Sequence, residues 1–340
     1  MTGNPLRSVL SGGTATAAAL LVLIFTVVFV INPGFAEPSS MLAFLKKAAP
    51  LVILAAGQYF VIVSGEFDLS VGSLVGAQVV IAAKLLDGED SRTVPVLLVM
   101  ILFGVLVGVV NGVVTTLLRV PSFITTLGMM LVLFGAIRLW TGGAPTGALT
   151  EAFRQPGRGG IDAGEIGLVP WAMIVMLVVG VVAVALMRSP WGRTLLAVGD
   201  NPVAASFSGV RVALVRTSAF VLSSLLATVA AILIGGYAGV TAQVGTGLEF
   251  VAITAVVLGG VALGGGKGYV TAAMGGALVL EALFTLFNQL GLPSTARPAV
   301  QGVIIIAAVA LSARELSGTR RPSRREPAAA VPSPVPEPTG

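Results

Sequence analysis

Residues 50–82 read PLVILAAGQYFVIVSGEFDLSVGSLVGAQVVIA, and the stretch Ser64–Ser73, SGEFDLSVGS, interrupts them with two carboxylates. Without Glu66, Asp68 and Ser70 this would be one apolar run, far longer than the roughly 20 residues a helix needs to cross a hydrocarbon core. A charged side chain costs about 2.5–3.5 kcal/mol at the centre of a membrane helix on insertion scales. Both carboxylates therefore belong in water, at an interface, or in a cavity lined by protein, and the sequence predicts a helix broken near residues 64–72. Asp68 and Ser70 suit a cap on the helix that follows, with Gly72 allowing close packing in its first turn. A place on or beside a transport route suits them equally.

The rest of the chain has the same character. Of 340 residues, 56% are hydrophobic and 10% charged, and the mean hydropathy is +0.99. The fold class expected is an all-α polytopic membrane protein with about ten transmembrane helices. Candidate spans are residues 14–31, 48–64, 71–86, 95–117, 121–140, 168–187, 215–236, 250–265, 269–289 and 298–312. Cysteine and histidine are both absent, which removes disulfides, thiolate metal sites and the commonest general base. No catalytic or metal-ligating set is expected. The net charge of +5 follows from membrane orientation and not from a nucleic-acid partner, because the basic residues gather in short segments beside apolar runs.

An even number of spans with the N-terminus inside places Arg7, Arg119, Arg188, Arg193, Arg211, Arg216, Lys267, Arg314 and the run RRPSRR in the cytoplasm. Both termini are then cytoplasmic. Lys46 and Lys47 depart from that pattern and suggest an interfacial segment, where long basic side chains snorkel to headgroups. The organisation expected is a short cytoplasmic N-terminus (1–13), a transmembrane domain (14–312) with its longest inner connection at 188–214, and a disordered, basic, Pro-rich cytoplasmic tail (313–340). The first span also resembles a secretory signal cleaved after Ala36, but its long apolar run and weak basic start favour a retained helix.

Two other stretches break the membrane pattern. In 189–216, Asp200 or Asn201 is a fitting N-cap, Pro202 fits the first helical turn, and VAASF makes a short helix that Gly209 ends. So short a helix is marginal alone in water and needs a surface to pack on. Arg193, Arg211 and Arg216 are accounted for by topology. In 245–284, LGGGKGY invites comparison with a phosphate loop, but that motif requires a glycine where Val261 stands and Ser or Thr where Gly268 stands. The run reads as a tight interfacial turn. Glu281, well inside an apolar span, should face the bundle interior or a wet cavity.

Four segments together resemble the membrane permease subunits of bacterial ATP-binding-cassette sugar importers, in the ribose-type branch. They are GEFDLSVGS (65–73), NGVVTTLLRVPSFITTLGMMLVLFGAIRLWTGG (111–143), GRTLLAVGDNPVAASFSGV (192–210) and LEFVAITAVVLGGVALGGGKGYV (248–270). They occur in the family's order. Glu66 and Phe67 stand where the family more often has Gly and Ile, and the Pro-rich tail is additional.

The resemblance implies a multi-pass protein of the bacterial cytoplasmic membrane. It implies two permease subunits, identical or paralogous, around a translocation path, with a solute-binding protein outside and two ATPase subunits in the cytoplasm. ATP and Mg would be bound by the ATPase partners and no cofactor by this chain, so the chain itself would not be an enzyme. It assigns coupling to the ATPase to Gly199, Asp200, Asn201, Ala204, Ala205, Ser208 and Gly209. Glu66, Asp68, Ser70, Asn111, Thr125, Thr126 and Glu249 become candidates for the pathway, although hydrogen bonding between helices explains Asn111 and the threonines as well. Two rivals stay open: an ion-coupled secondary transporter titrating Glu66, Asp68 or Glu281, and a membrane subunit that recruits proteins without transport.

Overall fold

The computed structural model describes residues 12–318 apart from 145 and 242. The N-terminal segment to residue 11 and the Pro-rich tail from 319 lie outside them. The helices are α1 (Gly12–Ile31), α2 (Pro38–Val63), α3 (Val71–Leu86), α4 (Thr93–Thr116), α5 (Ser122–Thr141), α6 (Glu151–Arg158), α7 (Trp171–Arg188), α8 (Pro190–Asp200), α9 (Pro202–Phe207), α10 (Val212–Ala238), α11 (Leu248–Leu258), α12 (Val270–Gln289) and α13 (Arg297–Gly318). Six, namely α2, α4, α5, α7, α10 and α12, are long and apolar enough to cross a membrane. The apolar parts of α1, α3, α11 and α13 are shorter and fall on the other expected spans.

Several expectations change. The chain is mostly helical, as expected, with one short addition: β1 (Gly160–Asp162) and β2 (Leu168–Pro170) pair antiparallel between α6 and α7. Gly164 and Gly167 supply the positive φ values that fold this hairpin back. The span expected at 250–265 is helical only to Leu258, because Gly259 and Gly260 end it. Helix α13 runs on to Gly318, through the first residues of the expected tail. Lys46 and Lys47 lie within α2, in its first three turns.

Helices α2 and α10 form the centre, buried over most of their length, while α4, α5 and α7 expose much of theirs. Small residues allow the central contacts. Gly57 of α2 meets the backbone of Ser223 on α10, and Gly104, Gly108 and Gly112 of α4 lie one turn apart against Thr228, Val221 and Thr217 of α10. Without a hydrophobic force between helices in lipid, such close backbone approach is a main source of association.

Depth along α10 shows where the break lies. Arg216, Ser223 and Thr228 contact Glu66, Asp68 and Gln78 in turn, a rise of about 18 Å at 1.5 Å per residue. Residues 65–70 therefore climb beside α10 as non-helical chain, and α3, about 24 Å long, spans only the remaining depth. Helix α11, about 16 Å long, is its counterpart. It begins where residues 244–249 lie against Gly72 and Gly76 of α3, and it ends next to the 259–268 turn, which reaches Val63 and Gly199. Two half-length helices thus start inside the bundle with their N-termini side by side.

Candidate functional site

The break is built from its own local chemistry. Gly65, at φ +87°, takes the left-handed conformation that closes α2, with Gly65 N–H donating to Ile62 O at 3.0 Å and Glu66 N–H to Val61 O at 3.2 Å. That pair of bonds is a Schellman stop. Beyond it the chain has no helical partners, and backbone at membrane depth must find others. Helix α5 supplies them: Phe67 N–H donates to Ser122 Oγ at 3.1 Å and Leu69 N–H to Thr126 Oγ1 at 3.0 Å. The Thr126 hydroxyl donates in turn to Ser122 O at 2.8 Å.

Asp68 is fully buried. Its Oδ1 accepts from Ser70 N–H at 3.0 Å and Ser70 Oγ at 2.6 Å, and its Oδ2 accepts from Ser223 Oγ at 3.2 Å. Ser70 Oγ accepts from Asn111 Nδ2 at 2.9 Å. The network ties the start of α3 to α4 and α10. Ser70 stands at the N-cap position but makes no capping bond to the helix, because its hydroxyl is committed to Asp68. The structure thus gathers Asp68, Ser70, Asn111 and Thr126 around the break as a buried bracket. Thr125, one position along α5, has a buried hydroxyl with no partner. Glu66 stands at the edge of the group and pairs with Arg216 at 2.6 Å.

Glu249 belongs to a different surface. It lies in the first turn of α11 and is 6% exposed, and its Oε2 would be only 1.9 Å from a Cβ at Gly72. Neither Ser70 nor Gly247, the N-caps of α3 and α11, makes a side-chain capping bond, and the first turns of both helices, with their partial positive charge, lie at this carboxyl group. Beside it lies a cavity of about 220 Å³ between α3, α5 and the 241–249 segment. Ser73, Arg138, Thr141, Thr241, Thr246 and Glu249 furnish its polar wall, and Met130 and Phe134 part of its apolar one. Of the seven pathway candidates from sequence, Glu249 alone lines it.

The 188–214 connection folds into an elbow. Helix α8, which the sequence analysis did not anticipate, ends at Asp200. Asn201 then caps α9, its Oδ1 accepting from Val203 N–H at 3.1 Å and Ala204 N–H at 3.0 Å, and Pro202 opens the helix. Asp200, Asn201, Ala204, Ser208 and Gly209 are exposed, whereas Gly199 and Ala205 are buried. Val203 and Phe207 are 62% and 89% exposed. Gly199 packs so closely that a Cβ there would lie 1.8 Å from Val63 O and 2.6 Å from Gly266 N, two atoms that are themselves joined by a 2.9 Å hydrogen bond. The three stretches that break the membrane pattern in sequence therefore meet at one end of the bundle, with LGGGKGY as the tight turn expected.

Arg216, Ser122 and Ser223 join the candidate residues only in the structure, as do the exposed Val203 and Phe207 at the elbow. Serines and one arginine beside apolar runs are common, and only the contacts set these apart. Glu281 does face a cavity, where it pairs with Lys47 at 2.8 Å, so two unexplained charges account for each other. Gln78, the polar residue within α3, donates to Met100 O and Thr228 Oγ1, each at 2.8 Å.

The comparisons agree with this architecture. Residues 40–309 match the family described as "Branched-chain amino acid transport system / permease component". The ribose import permease protein RbsC of Escherichia coli (strain K12) is 36% identical over 294 residues, covering 86% of this chain and 90% of the relative. The autoinducer 2 import system permease protein LsrC of Enterobacter sp. (strain 638) is 31% identical over 310 residues, covering 91% and 89%. LsrC of Escherichia coli (strain K12 / DH10B) is 31% identical over 325 residues, covering 94% and 93%. No solved structure matches the chain. With the broken helix, the elbow and the glycine turn in place, and relatives aligned along nearly their whole length, the chain belongs to this permease-component family, beside the ribose-type import permeases.

Proposed function

We propose that the chain is the permease subunit of an ATP-binding-cassette importer that admits a sugar or sugar-like solute to the cytoplasm. Two permease subunits, identical or paralogous, enclose the route. A binding protein outside the membrane delivers the solute. ATP and Mg are held and hydrolysed by two cytoplasmic ATPase subunits, so this chain contributes no catalytic residue. The break, the elbow and the 259–268 turn face the cytoplasm in the bacterial inner membrane, in keeping with Arg119, Arg188, Arg193, Arg211, Arg216 and Lys267 at that end. Both termini then lie inside, and about ten segments cross, with α3 and α11 each completed by non-helical chain.

The observation that carries this reading is the elbow. A capped two-turn helix that leaves a phenylalanine 89% exposed is a poor end for a monomer and a good anchor for a partner, since aromatic anchors dominate interface energetics. The coupling residues divide by role. Asp200, Asn201, Ala204, Ser208 and Gly209 shape the exposed face, Ala205 seats α9, and Gly199 transmits contact to Val63.

Solute passes along the cavity at Glu249, where two half-helix N-termini and several hydroxyl groups offer a weak polar surface. Weak contact suits release. Glu66, Asp68, Ser70, Asn111, Thr125 and Thr126 serve the pathway from behind this surface, by holding α3 in place.

The test is ATPase activity in proteoliposomes holding this chain and its ATPase, with a panel of sugar-loaded binding proteins. Stimulation by one loaded protein is expected; a folded assembly that stays unstimulated, or a chain that transports alone on a proton gradient, would refute the importer. For the elbow, Phe207→Asp is expected to weaken ATPase association by about 2 kcal/mol or more, at least about thirty-fold, while the membrane domain stays folded. Co-purification of the ATPase at the wild-type level would remove Phe207 from the interface.

A further inference from the structure

We infer that Glu66 and Arg216 are a positioning pair, through which displacement of the α8–α9 elbow reaches the break and α3. This rests on the importer reading above. Arg216 lies in the first turns of α10, the helix that leaves the elbow, and Glu66 is the first residue past the glycine that stops α2. Their ion pair measures 2.6 Å, with side chains 21% and 12% exposed. It is the outer of two rungs between the break and α10; the inner rung is the Ser223–Asp68 hydrogen bond at 3.2 Å.

The two rungs differ in how they tolerate movement. A hydrogen bond weakens steeply as its distance and angle depart from ideal. The backbone packing of Gly199 on Val63 likewise admits little displacement. Coulomb attraction falls only as the inverse of distance, and partial burial strengthens it. The pair can therefore follow a moving elbow and still draw the break with it, while the buried bracket at Asp68 keeps its shape. Arg216 Nε has no partner, so Glu66 is the only ion-pair partner of this side chain among the described residues. Removing either charge strands the other in a mostly buried site.

The chain has no cysteine, which makes Ser64→Cys a clean probe: Ser64 is fully buried and its hydroxyl bonds only to Val61 O. In proteoliposomes with the ATPase, Glu66→Gln and Arg216→Gln in this background are expected to raise the rate of maleimide modification about five-fold or more by local opening of the break. Solute imported per ATP hydrolysed should fall about ten-fold in each. The reversal Glu66→Arg with Arg216→Glu should bring both values back to within about three-fold of wild type. Unchanged labelling and coupling in the single variants, or a reversal no better than either of them, would overturn the proposal. Should the glutamine variants fail to insert, Glu66→Asp and Arg216→Lys, which keep both charges, are expected to insert and to stay within about three-fold of wild type on both readings, and failure of these too would overturn the proposal. If no loaded binding protein stimulates the wild-type assembly, the importer reading fails, and labelling still decides whether the pair holds the break.

Discussion

Asp68→Ala is expected to remove about 3 kcal/mol or more of stability, whereas Asp68→Asn should remove about 1 kcal/mol or less. Three donors converge on this carboxyl group, and all of them are buried. Alanine leaves each one unsatisfied, at about 1–3 kcal/mol apiece. Asparagine keeps an oxygen for the two Ser70 donors and turns its amide toward Ser223, whose hydroxyl can rotate to accept. Thermal unfolding of the purified chain in detergent, followed alongside uptake, reads both variants. Equal loss in Ala and Asn would show that the negative charge, and not the hydrogen-bond geometry, is what the site requires.

Gly199→Ala is expected to abolish coupled uptake, although it adds one methyl group. That methyl would lie 1.8 Å from Val63 O and 2.6 Å from Gly266 N, inside the hydrogen bond that joins the break to the glycine turn. Both neighbours are backbone, so neither can swing aside, and overpacking of this kind costs about 1–3 kcal/mol or more. The elbow must lift away from α2. Gly264→Ala is the control, because a Cβ there meets nothing within 4 Å. Uptake and ATP hydrolysis measured together should show Gly264→Ala near wild type and Gly199→Ala at least about ten-fold down in uptake. Equal activity in the two would mean that the close contact has no part in transmission.

Those two glycines show where sequence stops. Gly199 sits in an amphipathic helix and Gly264 in a run of three glycines; local pattern marks only the second, and Gly199 was expected at the coupling loop from family resemblance alone. The capping signal at Asn201, by contrast, was legible, because an asparagine before proline and a short apolar segment uses only neighbours in the chain. The helix α8 before it was not, since WGRTLLAVGD has a partial apolar face that only packing on α2 and α10 completes. The hairpin between α6 and α7 escaped for the same reason, each strand having three residues.

The solvent was already written in the order of the amino acids. Hydropathy is additive along a chain, so apolar runs with few charges specify a membrane bundle without any knowledge of contacts, and carboxylates within such a run specify a break. The sequence also located the three interruptions, because each carries its own glycine, proline or charge signal. What each interruption touches became visible only in the folded chain. That Asp68 is a bracket between helices, that Glu66 meets Arg216, and that Glu249 looks into a cavity are facts about residues about 40 to 180 positions apart, joined by distance-dependent forces that no local pattern records.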